Sequence, residues 1–468
     1  MSAKYTRREF LESSTAGAVA LTTFGTLNSS FAISAPAASS PPVRVRMIFL
    51  AKPVPTWPTP YLNVEEECKR VESELRKAAK QVPEVELVGG DLLRVGEDLE
   101  KLKGSMDGID GVVVFNLTST VGHLVEGITE YRVPTILFSQ PFSGHDWCTI
   151  ADMQKEGKRI DVLATSDFSE LAGALRAFRT VRRLRDAKIL CVTGGGLNEQ
   201  YADQVKQRFG TTISVVEPER LIQAFNTIDK AKSAKTAREF MDGAEKVVEP
   251  SAEEIDKSSR FYWAMRRVME EDGAQAIAIN CLGLFKQGKL PAYPCLGFAR
   301  LNDEGLVGAC EADLHSTLTM LTFGYLVERP GFISDPVIDT SNNTVIHAHC
   351  VSATKMSGVD GETCPYTIRS HMEDDKGAAL QVRMKIGQKI TMARYLGADT
   401  MLISTGEIID TPVLDRGCRT KITTKVADAR KMLYQYTGGL HRVIFYGDHV
   451  QDIHRLSHFL DFKVVEEC

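Results

Sequence analysis

Two stretches, residues 111–115 (Gly-Val-Val-Val-Phe) and 133–138 (Val-Pro-Thr-Ile-Leu-Phe), are apolar at almost every position and too short to be helices. A strand of that kind has no face to offer water. It must lie in a sheet covered on both sides, which in practice means a parallel sheet layered with helices. Helical segments separate the runs, so the chain reads as βαβ alternation. Residues 46–50 supply an earlier strand, followed by a Pro-rich loop at 53–60 and an amphipathic helix over about 64–80. A second round of the same alternation begins with strands at 188–192, 213–216 and 274–280, with a charged helical stretch over 230–269. At 468 residues the chain exceeds what one core needs, and two or three domains are expected.

Beyond about residue 330 the texture changes. Short strands at 345–350, 379–386, 389–395, 400–405 and 421–426 are separated by turns rich in Gly and Asp, the pattern of an antiparallel sheet or small barrel. A βαβ-like piece, 442–448 to 462–465, closes the chain. The expected architecture is therefore α/β: two open parallel-sheet, Rossmann-like domains over 43–180 and 181–330, then an antiparallel β-rich, barrel-like domain over 331–468.

Residues 1–42 read as a targeting segment and linker. Arg7-Arg8 precedes Phe10-Leu11, a small-residue apolar stretch follows over 16–27, and Ser30-Phe31-Ala32 and Ala35-Pro36-Ala37 offer small-x-small cleavage sites. This is the order of a twin-arginine export signal, which places the mature protein in the periplasm or outside the cell, with no stable membrane span once the signal is cleaved. Ten cysteines contain no Cys-x-x-Cys pair, which argues against zinc-ribbon and thioredoxin readings and for free, buried thiols. A net charge of −5 without long basic runs argues against nucleic acid as a partner and favours a small ligand of little charge.

Polar residues with chemical potential concentrate in three places. Glu311 and Asp313 precede an apolar helical run, where the helix dipole favours acids in any case. Asp335 and Asp339 lie just before His347-Ala348-His349, and on a strand those two histidines share one face. His441 follows Gly438-Gly439 and leads into a buried strand; alone, such a histidine more often serves packing. The Gly194-Gly195-Gly196 loop could cradle a phosphate, but it lacks the G-x-G-x-x-G spacing and an ordinary turn explains it better.

Taken in order, several segments resemble the L-fucose/L-arabinose isomerase family. These are Asn280-Cys281-Leu282-Gly283, residues 294–303, residues 309–313, the 332–335 segment, His349-Cys350, Gly406-Glu407-Ile408, residues 417–420 and residues 438–441. The resemblance covers roughly 275–468. It implies Mn2+ or another divalent cation held by Glu311, Asp335 and His441, with Asp339 a rival for the second carboxylate. It further implies that Glu311 and Asp335 double as catalytic acid and base, moving a proton between C1 and C2 of a small sugar through a cis-enediol. His349 and Arg419 are expected to line the substrate pocket, between the second and third domains, in a homo-oligomer. Two other readings share these residues: an exported sugar-binding or sensing protein without turnover, and a metal-assisted epimerase or lyase on a modified sugar.

Overall fold

A computed structural model describes residues 41–468, so the twin-arginine stretch lies outside the described residues. The first sheet is built from β1 (Val43–Leu50), β2 (Val85–Leu93), β3 (Gly111–Asn116), β4 (Thr135–Ser139) and β5 (Ile160–Ala164), in the order β2-β1-β3-β4-β5. Every pairing in it is parallel. All six residues of β3 and all five of β4 are buried, as their uninterrupted apolar runs require. Helix α1 (Val64–Ala79) covers one face; Asn63 caps its first turn and Val71 and Leu75 lie fully buried beneath it.

Helix α2 (Leu171–Asp186) leads into the second sheet. That sheet contains β6 (Lys188–Val192) and β7 (Thr212–Val215); a two-residue strand β8 (Lys246–Val247) leaves for a small third sheet, and β9 (Ala276–Ile279) and β10 (Val307–Cys310) complete the second. The order is β10-β9-β6-β7, again parallel throughout. The helical stretch expected over 230–269 is two helices, Lys230–Gly243 and Ala252–Asp272, with β8 between them. Pro250 and the Ser251 cap explain the interruption, because a residue before proline is driven out of the helical region and serine starts a new helix. Close approach of helix Cys295–Asp303 to β10 depends on Gly308, since a Cβ there would sit 2.7 Å from the Phe298 Cα.

The C-terminal strands are β11 (Phe332–Asp339), β12 (Thr344–His349), β13 (Tyr366–Arg369), β14 (Ala379–Val382), β15 (Lys389–Leu396), β16 (Thr400–Asp410), β17 (Thr420–Val426), β18 (Arg442–Tyr446) and β19 (Lys463–Glu466). Strands β15-β18-β11-β12-β17-β16 pair in that order, and β15 also pairs with β16, which closes a six-stranded antiparallel barrel. The fold is thus parallel α/β layers followed by an antiparallel barrel. The strand expected over 379–386 is outside the barrel: it ends at Val382 and joins β13 and β8 in the third sheet. At the C-terminus β19 adds to β16 in parallel. There Arg442 and Glu467 form a fully buried ion pair at 2.6 Å, which fixes the chain end against β18.

Candidate metal centre

The carboxyl ends of parallel strands are where open α/β sheets place ligands. Strand β10 ends at Cys310, and the next two residues, Glu311 and Ala312, both have left-handed backbones, φ +59° and +50°. Non-glycine residues resist that conformation by about 1–2 kcal/mol each, so a tight turn held against such strain commonly marks a functional position. Ala312 N–H donates to the Ile279 carbonyl and Asp313 N–H to that of Cys310, which holds the turn shut. Its effect is to lift the Glu311 side chain off the sheet edge toward the barrel.

Asp313 then caps helix α3 (Leu314–Val327), accepting from Ser316 N–H at 3.1 Å. The helix-start reading of Asp313 therefore holds, but the same carboxylate also accepts from His441 Nδ1 at 2.7 Å and from Arg394 at 2.5 Å. Arg394 reaches it from β15, with its Nε on the Gly438 carbonyl. Gly438 and Gly439 turn the chain here with φ of +76° and +92°, and a Cβ on Gly439 would meet the Arg394 guanidinium at 3.4 Å. His441 is thereby clamped from its Nδ1 side. Its Nε2 faces Asp335 Oδ1 at 3.3 Å and Glu311 Oε2 at 3.5 Å.

The structure therefore brings Glu311, Asp335 and His441 together from the second sheet, from β11 and from the turn before β18. Asp339 is elsewhere: exposed, it accepts from Ser341 and Asn342 in the β11–β12 hairpin turn. His349 is the fourth member of the group, with Nε2 3.6 Å from Glu311 Oε1. Donor atoms of Glu311, His349 and His441 all lie within 4.8 Å of one another.

The two histidines differ in what their other nitrogen does. His441 Nδ1 faces only an acceptor carboxylate, so it carries a proton and Nε2 keeps a lone pair once the ring is neutral. His349 Nδ1 instead accepts the Cys350 backbone N–H at 3.0 Å, which puts the proton on Nε2, directed at Glu311. A nitrogen that bears a proton cannot ligate. On that tautomer the candidate donor set is Glu311, Asp335 and His441, with Asp313 orienting the imidazole as carboxylates do behind metal-bound histidines. Cys310 lies 3.5 Å from His349 Nε2, but burial pushes its thiol well up, which keeps it a poor ligand.

Charge at the site is organised around His441. Burial works against its charged form, yet its bonds to Asp313 and Asp335 outweigh that and raise it to about 9. Burial likewise opposes ionisation of Asp313, but His441 and Arg394 hold that carboxyl far below the ordinary range. Glu311 is lowered by the His349 bond against the opposition of burial, while Asp335 is disfavoured by burial and brought below its ordinary value by His441. Two ionised carboxylates aimed at one point repel each other, and a divalent cation is the group that would satisfy both.

The remaining expected residues have other partners. His347 does not join His349: fully buried, it bonds Ser334 and Thr424 hydroxyls, and burial depresses it to about 3. Arg419 is buried, donating at 2.8 Å to both the carbonyl and hydroxyl of Ser370. At the Gly-rich loop, the Thr193 hydroxyl accepts from Gly195 N–H, and Asn198 caps the following helix. Arg394 is the site residue that sequence reasoning passed over, and Asp313 was read there only as a helix-start acid. An Asp-x-x-Ser cap spacing and an arginine inside the apolar run of β15 were the available signals.

No family model matches the chain. It is similar to a protein named sulfoquinovose isomerase from Clostridium sp. (strain MSTE9), 24% identical over 304 residues that cover 61% of this chain and 66% of that protein. A sulfoquinovose isomerase from Alkalicoccus urumqiensis is 24% identical over 219 residues, 45% of this chain and 48% of that protein. One from Priestia aryabhattai is 22% identical over 302 residues, 62% and 66% of the two chains. The chain spans just under two thirds of the first of these relatives and about half of the second, and at low identity its likeness is to sugar isomerases.

Proposed function

We propose that this protein is an aldose–ketose isomerase in which Glu311, Asp335 and His441 hold a divalent cation, manganese being the one the family resemblance implies. The observation that carries the reading is the convergence of two ionised carboxylates on an imidazole whose far nitrogen is fixed by Asp313. The names of the similar proteins add support for sugar isomerisation.

When bound, the cation would polarise the sugar carbonyl and acidify the adjacent hydroxyl. The chain's own residues supply the rest. Glu311 is ionised at neutral pH and more accessible than Asp335, which suits it to take the proton from C2 and return it to C1. His349 faces the Glu311 carboxylate with Nε2 at 3.6 Å and is placed to donate a hydrogen bond to a substrate oxygen. Cys310, His349 and Arg394 form a buried wall behind these groups and limit water.

A sulfonated hexose is the first substrate to test, since that is what the similar proteins are named for. Export in the folded state and assembly as a homo-oligomer belong to the same proposal. The decisive measurement is incubation of manganese-loaded protein with sulfoquinovose and a panel of aldoses in D2O. Ketose formation with deuterium entering the carbon skeleton is expected. A metal-loaded protein that makes no ketose and exchanges no carbon-bound proton across the panel overturns the reading.

A further inference from the structure

On the opposite edge of the first sheet, where the strands begin, the molecule has a cavity of about 340 Å³. Loops entering β3, β4 and β5 wall it on one side, and the last turns of α2 and of helix Glu199–Phe209 on the other. Six cationic side chains line it: Arg132, Arg159, Arg182, Arg185, Lys206 and Arg208. Asp110 is the one carboxylate in that lining, shared between Arg182 and Arg185. Those two also pair with Asp186, and Arg208 pairs with Asp461, which leaves Arg132, Arg159 and Lys206 without an ion-pair partner among the described residues. In a chain of net charge −5, this concentration of positive charge in a concave place is not a sampling of average surface.

Helix dipoles account for part of it. Arg185, Lys206 and Arg208 stand in the last turns of their helices, where cations are favoured, and Arg182 lies one turn before the end of its own. That argument does not reach Arg132 and Arg159, which lie on loops. Arg159 has no ion-pair partner among the described residues, and Glu130, the acid nearest Arg132 in sequence, is taken by Lys158. Lys206 bonds only neutral oxygens, those of Gly210 and Thr212. Arg132 is held with φ +56°, a conformation a non-glycine residue adopts at a cost. The cavity adjoins a second, about 730 Å³ in volume, with which it shares Arg159, Gln207, Arg208 and Leu460; Gln204 adds another amide there, and Asp399 and Asp461 make that chamber suited to hydroxyls and not to the anionic group itself.

We infer that this cavity is a binding site for a small tetrahedral oxyanion carrying a polar body, a phosphate ester or a sulfonate, distinct from the metal centre. The guanidinium forks match two oxygens of such a group at once, and the amides of the adjoining chamber match hydroxyls. The volume admits a small molecule and not a polymer. Because its walls come from the first sheet, the second α/β layer and the barrel-side Leu460, an occupant would tie the three layers together.

The test uses the whole protein at constant ionic strength, adjusted with sodium chloride, and follows thermal unfolding. Inorganic phosphate and pyrophosphate probe one source of the anion; 2-hydroxyethanesulfonate probes the other. A saturable rise in Tm with at least one of them is expected, and the stronger responder identifies the source. In the double variant Arg132→Gln/Arg159→Gln the half-saturating concentration should rise at least tenfold, with circular dichroism and metal binding unchanged. Neither arginine is held by an ion pair in the fold, so the variant is expected to fold. No saturable response to any of the three anions, or an undiminished response in the double variant, overturns the inference.

Discussion

Two histidines 5.7 Å apart, ring centre to ring centre, face the same carboxylate, and the hydrogen bond on the far side of each decides what it can do. His441 has a carboxylate behind it and offers a lone pair; His349 has an amide N–H behind it and offers a proton. Replacing His441 with alanine should therefore abolish stoichiometric metal binding. His349→Ala should keep metal affinity within about tenfold of wild type while lowering kcat by ~100-fold, the size of a lost hydrogen-bond donor to a developing oxyanion. Metal analysis beside steady-state kinetics separates the two, and equal metal loss in both variants would refute the tautomer argument.

The same residue sets a pH dependence. In the metal-free protein His441 is raised from 6.5 to about 9, so its charged contacts with Asp313 and Asp335 contribute stability that is whole below about pH 6.5 and lost as pH rises through about 9. A cation must displace that proton. Apparent metal affinity should rise about tenfold per pH unit, roughly 100-fold between pH 6 and 8, and level off near 9. Glu311 and Asp335 are held below their ordinary values and add no slope in that window. Competition with a chelating dye across the range measures it, and a flat profile would count against His441 as a ligand.

At the scale of elements, the turn after β10 matters most. Its two left-handed residues project Glu311 away from the sheet, and the hydrogen bonds of Ala312 and Asp313 keep that geometry. A β-branched side chain at the Ala312 position meets the backbone it follows, so Ala312→Val should destabilise the protein by about 2 kcal/mol and weaken metal binding, although position 312 offers no ligand atom. Denaturant unfolding with a metal titration checks both; a variant with unchanged stability and unchanged affinity would show that the turn is not constrained as described.

How far elements could be read from sequence followed from how each is stabilised. β3, β4 and β6 were legible because burial on both faces demands apolar residues throughout. β2 escaped notice: Gly89 and Gly90 interrupt its pattern, and the pairing with β1 shifts register beside them. β10 has only four residues, two of them Gly and Ala, and nothing local marks it as a strand; its pairing with β9 and its contact with Phe298 decide it. The strand at 379–382 was legible as a strand but not as a member of the third sheet, because local alternation says nothing about which partner a strand finds.

For the whole molecule, the candidate metal centre joins the layers: Glu311 follows the last strand of the second parallel sheet, Asp335 lies in the closed barrel and His441 immediately precedes one of its strands. A cation bound there should stabilise the assembled chain and not one layer alone. At a free metal concentration 100-fold above Kd, linkage gives about 2.7 kcal/mol of added stability. Calorimetry of chelated and reloaded protein should show one transition moving upward as a unit; a shift confined to part of the unfolding signal would mean that the layers are not joined through this site.

The chain's own pattern determined the order of its architecture, parallel layers first and short antiparallel strands after, because backbone hydrogen bonding and side-chain burial impose periods that a linear reading can detect. It also singled out Glu311, Asp335 and His441 through a resemblance spread over many short segments. Closure of the barrel, the choice of Asp335 over Asp339 beside His441, the clamp of Asp313 and Arg394, and the opposite roles of two neighbouring histidines were decided only in three dimensions. The clamp depends on contacts between residues 81 and 128 positions apart, and the histidine roles on hydrogen-bond directions that no local spacing encodes.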